Sequence, residues 1–221
     1  MSVLIYRDAK TVGACAATIL GGHLLSMTHS VIGIDFHETL LPVYESLSAM
    51  TENGLLAWSD AQIYQLFEFL PDVSGEQRIA NLLGKALFAK TDISEKQYAV
   101  PFSKELTPEE TAKRFEQAIL NDGGLDVALI AVRHDGSLLM NRNADHDPDT
   151  HVETVENDTF ITVGLSAVMQ AKHPIVVASG KNAAEAVRKM LRGSLVESPL
   201  AALKLHPGAT FVLDEEAAAL L

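Results

Sequence analysis

The chain has 221 residues, of which 48% are hydrophobic and 21% charged, which is enough material for one larger core or two small ones. Its 29 acidic and 17 basic residues give a formal charge of -12. This charge argues against nucleic acid or an anionic membrane as a partner, because such contacts need clustered Lys and Arg. The single cysteine, Cys15, excludes an internal disulfide. With no secretory signal and no apolar stretch of about 20 residues, the expected location is the cytoplasm.

Apolar runs and amphipathic stretches alternate along the chain. In chain order we predict a strand at 2–6, a helix at 9–26, a strand at 31–35, a helix at 38–50, a strand at 61–67, a helix at 74–90, an extended piece at 98–101, a helix at 107–120, strands at 125–132 and 160–163, a helix at 164–171, a strand at 175–178, helices at 181–192 and 199–205, a strand at 210–213 and a helical turn at 215–221. The polar stretch 143–158 is expected to be a surface loop or lid. The alternation predicts an α/β fold in which helices cover both faces of a mostly parallel sheet. No linker is found, so one domain over residues 1–221 is expected.

The strand predicted at 125–132 is the best candidate for the centre of the sheet. It is a nearly continuous apolar run, which is typical of a strand buried on both faces. It ends in a polar tip, Arg133 to Ser137. Ligands of open α/β sheets bind beyond the carboxyl ends of the strands, so this tip is the first candidate for a site.

The stretches GGLDVALIAVRHDGS, ITVGLSAVMQA, IVVASGKNAAEAVRKMLRG and PLAALKLHPGATFVLDEEAA together resemble one family. This is the glucosamine/galactosamine-6-phosphate isomerase (deaminase) and 6-phosphogluconolactonase family, and the resemblance covers nearly the whole chain. It implies a modified Rossmann-like three-layer sandwich. It also implies a small-molecule ligand, a sugar or sugar phosphate, with no cofactor, and a small homo-oligomer as the expected assembly.

The motifs that carry the family's chemistry are altered in this chain. The family pattern Gly-Leu-Gly-x-Asp-Gly-His falls on residues 131–137, where Asp135 and Gly136 match but Arg133 and Ser137 replace the second glycine and the histidine. Ser137 does not titrate near neutral pH, so the proton-transfer group of that position is lost. The family's Asp-Glu pair, whose Asp is the base, reads Phe67-Glu68.

Two anion-binding motifs are altered as well. The Gly-rich phosphate loop corresponds to residues 35–40, where only Thr39 matches and Asp35 and Glu38 introduce carboxylates. A like-charge pair about 5 Å apart costs a few kcal/mol at an effective dielectric constant of about 20, which opposes a phosphate dianion. We expect a carboxylate to cap the following helix in place of the phosphate. The family's lysine in the late helix falls on Ala183, and Lys181 lies two residues earlier.

These changes predict a diverged member of the family that is non-catalytic or repurposed toward a neutral or cationic ligand, or toward a regulatory or interaction role. The alternative is an active isomerase/deaminase or lactone hydrolase with altered substrate, in which Asp135 and Glu68 form the acid/base pair. The sequence has no metal-ligand spacing, although His37 and His134 with nearby carboxylates leave a metal or proton-relay site open. The predicted ligand-binding residues are Asp35, His37, Glu38, Thr39, His134, Gly136 and Lys181.

Overall fold

The computed structural model describes residues 1–27, 29–70, 77–140, 149–155, 158–195 and 198–221. At the centre of the fold lies a seven-stranded sheet made of β1 (Ser2–Tyr6), β2 (Val31–Ile34), β3 (Gln62–Gln65), β5 (Tyr98–Ala99), β6 (Val127–Ala131), β9 (His173–Ala178) and β10 (Thr210–Asp214). The strand order is β1-β10-β9-β6-β2-β3-β5, and all neighbouring strands are parallel. A second, antiparallel sheet has the order β4-β8-β7, with β4 (Phe67–Phe69), β7 (His151–Val155) and β8 (Asp158–Thr162).

Helices flank the parallel sheet, so the expected three-layer α/β architecture is confirmed. They are α1 (Ala9–Ser26), α2 (Leu41–Glu52), α3 (Ile79–Ala86), α4 (Pro108–Asn121), α5 (Leu165–Gln170) and α6 (Ala184–Arg192). The predicted central strand is β6, and all five of its residues are buried. No helix within the described part of the chain is both long and apolar enough to cross a bilayer.

Local signals position two of the helices. Thr107 accepts a hydrogen bond from the Glu110 N–H (3.2 Å), and Glu110 accepts one from the Thr107 N–H (3.0 Å). This capping box, followed by Pro108, starts α4 where the sequence predicts it. Gly13 lets α1 approach α2 closely, since a Cβ at residue 13 would lie 2.5 Å from the Pro42 Cβ.

Several predicted elements differ from those observed. The strand predicted at 61–67 is two strands, because Leu66 passes the chain from one sheet to the other: its N–H donates to the Ile34 carbonyl (2.9 Å) and its carbonyl accepts from the Val163 N–H (2.8 Å). The predicted helices 38–50 and 181–192 each begin with a 3-10 turn, Glu38–Leu40 and Lys181–Ala183, and 199–205 is 3-10 throughout.

The segment predicted as a surface loop or lid at 143–158 contains a strand. Residues 151–155 form β7, so the prediction of an irregular loop is wrong there. Residues 141–148 and 156–157 lie outside the described residues, as do 71–76 at the start of the helix predicted from 74.

Candidate functional site

A cleft of about 410 Å³ opens at the carboxyl edge of the parallel sheet. The strand register explains its position, since Ile34 of β2 pairs with Leu129 of β6, and Ala131 pairs with Val177 of β9. The segments that follow these strands therefore meet at one edge of the sheet. The cleft is lined by His37, Glu38, Thr39, Val132, His134, Ser179, Gly180, Lys181, Asn182, Ala183 and Glu216.

Five predicted ligand-binding residues line this cleft, namely His37, Glu38, Thr39, His134 and Lys181. They come from three segments that are far apart in sequence. Asp35 and Gly136 are not among the lining residues, and neither are the predicted acid/base residues Asp135 and Glu68.

The loop after β2 is capped by a histidine. His37 Nδ1 accepts a hydrogen bond from the Thr39 N–H (3.3 Å) and lies 3.0 Å from the Thr39 Oγ1. The expectation that a carboxylate caps this turn is therefore wrong: Glu38 is exposed, and Asp35 bonds elsewhere. Burial lowers the pKa of His37, and the nearby Arg133 guanidinium lowers it further.

Asp35 forms a buried ion pair with Arg133. The guanidinium makes two hydrogen bonds to the carboxylate, Nη1 to Oδ2 at 3.0 Å and Nη2 to Oδ1 at 2.9 Å. The Ala131 N–H also donates to Asp35 Oδ2 (3.0 Å), and the Tyr44 hydroxyl donates to the Asp35 carbonyl. Asp35 is fully buried and Arg133 is 8% exposed. The carboxylate is thus committed to the protein rather than presented to the cleft.

Phe67 stands at the position of the family's base and packs beside this ion pair. The Arg133 Cζ lies 5.4 Å from the centroid of the Phe67 ring. The ring also contacts that of Phe160 edge-on, with the two centroids 6.3 Å apart. Phe67 is 3% exposed, so this position is apolar and dry.

Glu68 caps the start of α3 and is fully buried. Its Oε1 accepts from the Phe69 N–H (2.8 Å) and the Ile79 N–H (3.0 Å), and its Oε2 accepts from the Ala80 N–H (3.0 Å). A carboxylate at a helix N-terminus satisfies otherwise unpaired donors and interacts favourably with the helix dipole. This geometry accounts for Glu68 without a role in proton transfer.

Asp135 closes the turn after β6. Its Oδ1 accepts from the Ser137 N–H (2.9 Å) and from the Ser137 hydroxyl (2.7 Å), and Gly136 has a φ of 77°. An Asp-Gly pair in such a turn is common, because the carboxylate bonds the backbone two residues on and glycine tolerates positive φ. Asp135 is exposed, so its side chain remains accessible to solvent at the polar tip.

The opposite wall of the cleft follows β9, and the sequence reasoning missed most of it. Asp214 anchors this wall, since its carboxylate accepts from the Ser179 hydroxyl and from the Gly180 N–H, the latter at 2.9 Å to Oδ2. Asn182 and Glu216 line the cleft beside Lys181. The signal for Ser179 was present, because Ser-Gly directly follows a buried strand. Glu216 is distant from Lys181 in the sequence, and only the fold brings it to the cleft.

The described residues do not assemble a metal centre. Among the described residues, no group of three or more His, Cys, Asp and Glu side chains is placed to hold an ion. His37 and His134 share the cleft, but Asp35 is paired with Arg133.

The sequence model of the glucosamine-6-phosphate isomerases/6-phosphogluconolactonase family matches residues 38–212. The chain belongs to this family. A glucosamine-6-phosphate deaminase of Pseudoalteromonas translucida is 27% identical over 242 residues, which cover 100% of this chain and 90% of the relative. One from Corynebacterium aurimucosum is 28% identical, covering 100% of this chain and 94% of the relative.

Solved structures of family members share the fold. A monomeric glucosamine-6-phosphate deaminase superposes with a TM-score of 0.93 at 23% identity, covering 100% of both chains. The 6-phosphogluconolactonase from Trypanosoma brucei superposes with a TM-score of 0.74 at 18% identity, covering 100% of this chain and 98% of that one. At these identities the likeness shows the fold alone.

Proposed function

We propose that this chain is a family member that binds a neutral or cationic sugar-like molecule in the cleft and does not carry out the family's proton-transfer reaction. The proposal rests on the residues found at the two positions where the family has its proton-transfer groups. Position 67 is a buried phenylalanine ring, and position 137 is a serine whose hydroxyl bonds Asp135. Neither side chain exchanges a proton near neutral pH.

The remaining carboxylates near the family positions are committed to the backbone. Glu68 accepts the N–H groups of Ile79 and Ala80 at the start of α3 and that of Phe69 in β4, and Asp135 accepts the Ser137 N–H. A general base must reach the proton that it abstracts. Glu68 would have to abandon the helix cap to do so, which leaves buried donors unpaired.

The charges of the cleft favour the proposed ligand class. The carboxylates of Glu38 and Glu216 line it together with one ammonium, that of Lys181. His37 adds little positive charge at neutral pH, because burial lowers its pKa. A cleft lined by two acidic residues and one lysine disfavours a phosphate dianion and suits hydroxyl or ammonium groups.

Ligand binding and turnover test the proposal with two measurements. The melting temperature of the chain is followed in the presence of glucosamine and, separately, glucosamine-6-phosphate, and ammonium release is assayed with the phosphate. We expect glucosamine to stabilise the fold more than its 6-phosphate does, because a ligand stabilises the state it binds. We expect no ammonium release. Turnover of glucosamine-6-phosphate would contradict the proposal.

A second candidate function is that of an active enzyme with an altered substrate. It is favoured by the curated relatives, which are named glucosamine-6-phosphate deaminase and align over the whole of this chain. In that case Asp135 and Glu68 are the acid/base pair, with Thr39 and Lys181 as anion contacts. Replacing Asp135 by Asn would then abolish turnover. Under the lead proposal, the same change alters only the turn.

A further inference from the structure

We propose that His37 is a proton-sensitive switch of the cleft: its neutral ring caps the turn Glu38–Leu40, and its protonated ring gives up that cap so that the cleft admits a small anion. The inference rests on the proposed function and deepens it, because it names how the ligand preference of the same cleft is regulated. His37 and Thr39 both line the cleft, and His37 is half-buried. A change at this ring is therefore a change in the lining that a ligand meets.

The hydrogen bond of the cap fixes the protonation state of the His37 ring. The Thr39 N–H donates to His37 Nδ1 at 3.3 Å, and the Thr39 Oγ1 lies 3.0 Å from the same nitrogen. A ring nitrogen that accepts a backbone N–H carries no proton, so the neutral ring holds its own proton on Nε2. A second proton can bind only at Nδ1. Protonation and the cap therefore exclude each other.

Charged and titratable groups surround His37 on several segments. Those that act on its protonation lie in its own loop and at the tip after β6, and they are Asp35, Glu38, Arg133 and His134. Burial and then the Arg133 guanidinium lower the pKa of His37, and the two carboxylates oppose them. Lys181 and Glu216 line the cleft from the segments after β9 and β10. The ring is therefore neutral at neutral pH and takes up its second proton below a pH of about 6.5.

Protonation also reverses the net charge of the cleft lining. With neutral imidazoles, the ionised side chains of the lining are two carboxylates and one ammonium, those of Glu38, Glu216 and Lys181. When His37 and His134 are both protonated, the lining carries three positive charges and two negative ones. A net positive lining suits an anion, whereas a net negative one suits a neutral or cationic ligand. In addition, the Thr39 N–H and hydroxyl lose their acceptor, and an anion replaces it.

Sulfate is a suitable probe, because its charge does not change with pH in the range of the experiment. Its binding is followed by calorimetry at a pH of about 7.5 and of about 5.0, where glutamates stay largely ionised, at one ionic strength and with circular dichroism to verify the fold. We expect the parent chain to bind sulfate at least about tenfold more tightly at the lower pH. His37→Gln keeps an oxygen that can accept the Thr39 N–H but does not titrate, so most of this gain should be lost.

Two matched variants separate the cap from the charge. His134→Gln removes one titrating ring of the cleft and leaves the cap, so it should keep part of the gain in sulfate affinity. His173→Gln changes an exposed histidine at the amino end of β9, the opposite edge of the sheet, and should keep all of it.

Nuclear magnetic resonance tests the cap directly. The His37 ring nitrogens and the Thr39 amide should titrate with one midpoint, and the Thr39 amide should not respond to pH in His37→Gln. Absence of the gain in the parent chain, an equal gain in His37→Gln, or a His37 ring that is protonated while the Thr39 amide resonance stays fixed would overturn the inference. Turnover of glucosamine-6-phosphate at neutral pH would instead overturn the proposed function, and it leaves these pH measurements unaffected.

Discussion

Replacing Glu68 tests whether this carboxylate is a helix cap or a catalytic group. The side chain is fully buried and accepts three backbone N–H groups at 2.8 to 3.0 Å. Glu68→Ala leaves these donors without their partner. A buried unpaired donor costs about 1 to 3 kcal/mol, and two of these three donors belong to partly exposed residues. Taking about 2 kcal/mol for the Ile79 N–H and about 1 kcal/mol for each of the others gives about 4 kcal/mol.

The measurement is urea unfolding followed by circular dichroism. We expect a lower midpoint with an unchanged slope, and a melting temperature lower by roughly 12 °C for a chain of this size. Glu68→Gln retains one acceptor oxygen and should lose about half as much, about 2 kcal/mol.

A loss below about 1 kcal/mol for Glu68→Ala would refute the capping argument. A Glu68→Gln variant with parental stability but abolished turnover of a sugar phosphate would instead assign Glu68 to catalysis. The two roles therefore predict different patterns in the same pair of variants.

Three further predictions concern the capping box of α4, the contact between α1 and α2, and the titration of His37. Thr107→Ala removes a helix cap and should cost about 1 kcal/mol in urea unfolding, with no effect on ligand binding. Gly13→Ala forces a Cβ to 2.5 Å from the Pro42 Cβ and should cost more than about 2 kcal/mol, whereas Gly22→Ala in the same helix has nothing within 4 Å and should stabilise by up to about 1 kcal/mol. The folded-state pKa of His37 is lowered, so below a pH of about 6.5 the unfolded chain binds more protons than the folded chain does. The stability of the fold is therefore unaffected by His37 above that pH, and it decreases as the pH falls toward the folded-state pKa of His37. The measured loss on acidification should be smaller in His37→Gln, and an equal loss in both chains would contradict this assignment.

Features encoded by neighbouring residues could be predicted from the sequence. The bounds of β1 and α1 match their predictions, and α4 begins within one residue of its predicted start, where Thr107 and Glu110 form a capping box. Apolar runs sufficed for the buried strands β2, β6, β9 and β10, since strands buried on both faces leave a continuous signal. Because these strands are parallel, their carboxyl ends share one edge of the sheet, and five of the predicted ligand-binding residues line the cleft at that edge.

Features that depend on distant partners could not be predicted. Asp35 and Arg133 are 98 positions apart, so in the sequence they are two isolated charges with no sign of their pairing. Glu68 receives N–H groups from residues 11 and 12 positions later, across the segment 71–76. The capping role of His37 was not predicted, because a charged carboxylate is ordinarily a stronger acceptor than an imidazole nitrogen and two carboxylates lie close by in the sequence. In each case the hydrogen-bonding or ion-pair partner of the side chain could be identified only from the three-dimensional structure.

The crossing of Leu66 between the two sheets restricts how the neighbouring position can change. Gln65 is fixed opposite Ile34 and Phe67 opposite Thr162, so the backbone on both sides of Leu66 is held by strand pairing. Residue 67 cannot be turned toward or away from the cleft by a local shift of one residue, because the register of one sheet or the other would break. The chemical nature of this position is therefore set by the identity of its side chain, and a gain or loss of acidity there requires a substitution rather than a rearrangement.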